Sequence, residues 1–106
     1  GEPDGFGPEG FQEFCDASRG RLEASLPEFS LQKVERFTLS SFVDIQAVWY
    51  TCGSEAGYEF AQLHALGLMD RYHLYLINAA TLLPLAGEHL PIFEMILRGL
   101  RMLPSR

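Results

Sequence analysis

The apolar positions of this chain change period twice. Residues 1–10, GEPDGFGPEG, carry glycine and proline with almost nothing to bury, and are expected to form an irregular lead-in. Then Phe11, Phe14, Cys15, Ser18, Leu22, Ser25 and Leu26 recur at three- and four-residue steps, with Gln12, Glu13, Asp16, Arg19 and Glu23 on the opposite side. That spacing predicts an amphipathic helix over about 11–26, closed by Pro27. Gly20 weakens it by ~1 kcal/mol relative to alanine. From Phe29 the period becomes two, predicting strands at about 29–38, 43–52, 58–68 and 72–80. The connections are too short for parallel crossovers, so the strands form an antiparallel meander. Helical spacing returns with Leu85, His89, Ile92, Phe93, Ile96, Leu97 and Leu100 on one stripe. Pro91 leaves two versions of this last element: a helix starting near Leu90, or a short turn over 82–88 that leads into it with a kink. The expected fold class is therefore α+β, a single domain with a meander sheet of about four strands flanked by an N-terminal and a C-terminal helix.

The strands are apolar on both sides. Val43, Ile45, Ala47, Trp49 and Thr51 share one face of the second strand, and Gln46, Val48, Tyr50 and Cys52 share the other. Tyr72, Leu74 and Leu76 likewise lie opposite His73, Tyr75, Ile77 and Ala79. A sheet with one face in water alternates cleanly, so both faces of this one need a cover. Either the two helices divide between the faces, or a second subunit or bound partner completes the cover.

Composition narrows the function classes. Of 106 residues, 47% are apolar and 21% charged, the balance of a folding chain rather than a disordered one. Fourteen acidic against eight basic residues give a formal charge of -6, which repels a nucleic-acid backbone. The longest nearly apolar run, Ile77 to Gly87, is about half of a bilayer span, so no membrane insertion is expected. Cys15 and Cys52 lack C-x-x-C spacing and are expected to be buried free thiols, which fits a reducing, cytoplasmic setting; a leader before Gly1 would make it periplasmic.

Candidate chemistry is sparse. His64 and His73 fall on adjacent strands, His89 in the last helix, and no third ligand or nucleophile is specified beside them, so no metal, cofactor or catalytic residue is assigned. An enzyme built on His64 and His73 is the weakest of three function classes. Asp16, Asp44, Glu55, Glu59 and Asp70 read as solvated charge. The glycines form no phosphate-binding loop. Trp49, Tyr50, Tyr58, Phe60, Tyr72 and Tyr75 form an aromatic set that serves either packing or an interface. Gln46 and Gln62 sit among apolar strand residues and have the donors and acceptors to bind a partner's backbone.

The stretch LPEFSLQKVERFTL, then IQAVWYTCGSEAGYEFAQLHALGLMDRYHLYLINAA and the closing LPIFEMILRGLRML, over about residues 11–103, resembles the PsbP/DcrB-like family. The likeness is to its branch of type VI secretion effector-associated (Eag) chaperones. One departure is that the family pattern has a strand pair before the first helix, where this chain has its glycine-rich lead-in. The resemblance implies an α/β/α sandwich and a homodimeric adaptor or chaperone holding an apolar, transmembrane-like effector segment on its sheet. Trp49, Gln46, Phe60, Gln62 and Leu66 are the positions that would then contact the partner. The alternative within the family is a periplasmic or lipid-anchored DcrB-like envelope domain with a structural or small-ligand role.

Overall fold

The computed structural model describes residues 8–40, 42–70 and 73–100. Helix α1 (Pro8–Ser25) is followed by strands β1 (Ser30–Leu39), β2 (Phe42–Gly53), β3 (Glu59–Asp70) and β4 (His73–Leu82). A short 3-10 turn, Leu83–Leu85, then runs into helix α2 (Ala86–Arg98). The sheet order is β1-β2-β3-β4 with every neighbouring pair antiparallel, which is the α+β meander with terminal helices that the periodicity predicts. Helix α1 takes in residues 8–10, which the glycine and proline content assigns to the lead-in. The predicted aromatic Tyr72 lies outside the described residues.

Two helices cover two faces. On one side α2 lays Leu97 onto Phe42, Ile45, Ala47 and Trp49 of β2 and Leu63 and Ala65 of β3, with Leu90, Phe93, Phe37, Tyr75, Ile77 and Ala79 packed around them. On the other side α1 covers two separate apolar patches. Phe11 and Cys15 meet Leu66 and Leu68, while Leu22 and Leu26 meet Val48, Tyr50, Cys52 and Phe60. Phe11, Ile45, Leu63 and Leu97 are fully buried, each contributing about 1.5–3 kcal/mol by removal from water. The second cover is thus supplied by the chain's own helices.

Of the two predicted versions of the last element, the structure is nearer the second: the 3-10 turn Leu83–Leu85 leads into α2, which runs from Ala86 with Pro91 in its interior, and the helix does not start near Leu90. The N–H that proline lacks would have bonded the carbonyl of Gly87, an exposed residue in the first helical turn, where water replaces it at low cost. The rotation of α2 differs from the predicted one. Of the predicted stripe, Phe93, Leu97 and Leu100 face the core, joined by Leu90, whereas Leu85, Ile92 and Ile96 are 41%, 47% and 59% exposed. The apolar arc of α2 is wider than one contact surface needs, so spacing alone does not choose which part of it is buried.

The β2–β3 hairpin is closed at Ser54–Gly57. Gly57 N–H bonds the Ser54 carbonyl at 3.0 Å, Ser54 N–H bonds the Tyr58 carbonyl at 2.9 Å, and Gly57 adopts φ 87°. That left-handed conformation strains any side chain. By contrast, a Cβ added at Gly20, midway along α1, would touch nothing within 4 Å. Gly57→Ala is therefore expected to lower unfolding free energy by ~1 kcal/mol and Gly20→Ala to raise it by about 0.5–1 kcal/mol, both read from urea-denaturation midpoints.

Candidate binding surface

The five residues expected to contact a partner do not share a surface. Trp49 lies on the α2 face and is 6% exposed. Its indole N–H donates to Glu35 Oε1 at 2.9 Å, and the Lys33 ammonium stands 5.6 Å from its ring centre. Glu35 is also bonded by Arg98, whose guanidinium stacks 3.9 Å over Phe37. Burial pushes the Glu35 pKa up, but hydrogen bonds from Lys33 and Trp49 and the charges of Lys33 and Arg98 outweigh it and hold the carboxyl below its ordinary value. Trp49 still floors an open cleft of about 280 Å³ between β1 and α2, lined also by Gln32, Lys33, Leu90, Pro91 and Glu94.

The other four lie across the sheet, under α1. Leu66 is buried against Phe11 and Cys15, and Phe60 packs with Tyr50 and Cys52. Gln62 accepts a 2.6 Å hydrogen bond from the Tyr50 hydroxyl. Gln46 is 4% exposed, and its amide nitrogen has no hydrogen-bond partner among the described residues. The aromatic set divides the same way, with Trp49 and Tyr75 on the α2 side, Tyr50 and Phe60 on the α1 side, and Tyr58 exposed by the hairpin.

The histidines separate as well. His64 sits opposite Asn78, whereas His73 lies at the β3–β4 turn and contacts Asp70 at 2.8 Å. A pairing absent from the sequence reading forms instead: Ser18 of α1, His64 of β3 and Asn78 of β4 join in one chain of 3.0 Å contacts. The Asn78 carbonyl faces Nδ1, which carries the proton, so Nε2 accepts from the Ser18 hydroxyl. This has the order nucleophile, base, orienter. Ser18, on the sheet-facing side of α1, is 8% exposed, and the backbone amides around it are bonded along the helix. What the arrangement does is tie α1 to the sheet by a polar bridge between two apolar patches. Among the described residues no group of three His, Cys, Asp or Glu side chains is placed to hold a metal ion, and no helix is long and apolar enough to cross a membrane.

Leu31, Val34, Tyr58, Leu82 and Leu85 are exposed at scattered places, and a group of exposed apolar residues gathers along the margin between α2 and β4. Ile96 (59% exposed) and Phe93 wall a groove of about 200 Å³ whose other side is Ile77 and Ala79. Ile92 stands one turn before Ile96 on the same flank, and Met95, 69% exposed, caps the helix above them. On the opposite side of β4, Leu76 is 56% exposed where α1 does not reach. The available signals were the excess width of the α2 apolar stripe and the uncharged composition of the last strand. No family model, curated protein or solved structure matches the chain.

Two outcomes follow from the α1 side. Gln46→Met removes a buried unsatisfied donor at similar volume and is expected to raise unfolding free energy by about 1 kcal/mol in urea titrations. Burial, with a smaller push from Arg21, lowers the His64 pKa against the raising effect of Asn78. The unfolded chain therefore takes up a proton near pH 6.5 that the folded chain refuses until lower pH. Stability should fall as pH drops below about 6.5, and His64→Gln should flatten that part of the melting-temperature profile.

Proposed function

We propose that this chain is a non-enzymatic protein-binding module, an adaptor or chaperone working as a homodimer, which holds an apolar segment of another protein. The observation that supports the reading is the apolar flank of Ile92, Met95 and Ile96 beside the open groove over Ile77 and Ala79. Exposed apolar residues gathered along one groove suit an amphipathic or transmembrane-like helix laid into it, since helix-in-groove recognition uses anchors at three- and four-residue steps. Both broad sheet faces are already covered by α1 and α2, so the holding surface moves from the sheet, where the family resemblance puts it, to the α2–β4 margin. On that resemblance the held segment belongs to a secreted effector and the complex forms in the cytoplasm.

The test uses a synthetic, lysine-flanked leucine/alanine helix of about 20 residues as probe, followed by fluorescence anisotropy. The expected result is saturable binding that Met95→Gln with Ile96→Gln weakens at least tenfold at unchanged melting temperature. Failure of the unaltered protein to bind the probe, or equal binding by the double variant, overturns the reading.

A further inference from the structure

The two outer strands of the sheet are unlike each other. Strand β1, SLQKVERFTL, carries Lys33, Glu35 and Arg36, and its register against β2 breaks between Leu31 and Lys33 and again between Phe37 and Leu39. Charges and irregular pairing are the usual protection of an edge. Strand β4, HLYLINAATL, contains no Asp, Glu, Lys or Arg, and pairs with β3 without a break from Phe60↔Leu82 to Leu68↔Leu74. Among the described residues no strand lies on its outer side. A regular, uncharged edge of ten residues offers its free backbone groups to another strand.

We infer that β4 pairs antiparallel with β4 of a second copy, joining two sheets into one of eight strands. This rests on the binding reading above, because it completes the same site. Three observations select a second copy as the occupant. The chain carries a formal charge of -6, so two copies repel except where charge is absent, and β4 is such a place. A two-fold axis at Ile77, near the strand midpoint, sets Tyr75 opposite the other copy's Ala79, Leu74 opposite Ala80 and Leu76 opposite Asn78. Tyr75, Leu74 and Leu76 each meet a smaller residue, Ile77 meets its own copy at the axis, and the exposed Leu76 is covered. Size also fits. The ten-residue edge is about 33 Å long, enough for a full strand-to-strand ladder with its own copy.

The axis is perpendicular to the sheet, so both α2 helices lie on the same side. Their Ile92 and Ile96 flanks face each other across a floor made by the two β4 strands. The half-groove over Ile77 and Ala79 becomes a trough with two walls, one from each copy.

The experiment is light scattering of the full chain over a concentration series, with two variants. Leu76→Lys adds a charge at an exposed position beside the axis and is expected to weaken dimerisation at least tenfold without lowering the melting temperature. Ile77→Cys, with Cys15 and Cys52 replaced by alanine, is expected to give an intermolecular disulfide on mild oxidation, whereas Lys33→Cys on β1 in the same background is not. A monomer at all concentrations, or a dimer indifferent to Leu76→Lys and uncrosslinked through position 77, overturns the inference. The helical probe separates the two proposals. A monomer that binds it sinks the edge pairing and the homodimer while the helix-binding reading stands, and a crosslinked dimer that ignores it sinks the binding reading alone.

Discussion

The architecture follows from the middle of the sheet, where β2 and β3 are apolar on both sides. Ile45, Ala47, Trp49, Leu63 and Ala65 point one way, and Val48, Tyr50, Cys52, Leu66 and Leu68 the other, all of them buried. A strand pair of this kind is stable in water only as the inner layer of three. Among the described residues two helices, of 18 and 13 residues, do that task, and each must lie over the centre. What they leave uncovered is the periphery. The open groove beside β4, the cleft beside Trp49 and the bare Leu76 are all consequences of covering the middle first.

The two covers are attached by different physics. Helix α2 lies on a continuous apolar layer, and its polar ties, Thr81 to His89 at 2.6 Å and Arg98 to Glu35, sit at the rim. Under α1 the apolar contact is interrupted by Gln46, Gln62 and His64, and the hydroxyl of Ser18 supplies part of what those groups need. Acid therefore reaches each cover through a different group: under α1 it is His64, partly buried and held neutral, and beside α2 it is the Glu35 carboxylate, held below its ordinary value and bonded to Arg98.

Element order, strand parity and the meander were legible because they depend on local periodicity and on connections too short for anything else. Periodicity is silent about rotation of a helix that is apolar over a wide arc, and this is why Ile92 and Ile96 were expected inside and lie outside. It is equally silent about which residues from distant segments meet. Ser18 and His64 are 46 positions apart and come together only because α1 crosses β3 at that level. Trp49 and Gln62 attract notice in the sequence for their chemistry, yet parity puts them on opposite faces, and one surface cannot use both. The uncharged β4 needed no coordinates to see, but its meaning as an edge depends on the strand order.

The position of Cys15 makes the attachment of α1 observable in time. Its thiol is buried against Leu66 and Leu68, and burial pushes its pKa up to about 11, so in the closed state almost none of it is thiolate and no reagent can reach it. Covalent labelling at this sulfur must wait for the helix to lift. Its rate at saturating reagent is the opening frequency of one cover of the sandwich, a clock carried within the native chain and wound by the same contacts that close it.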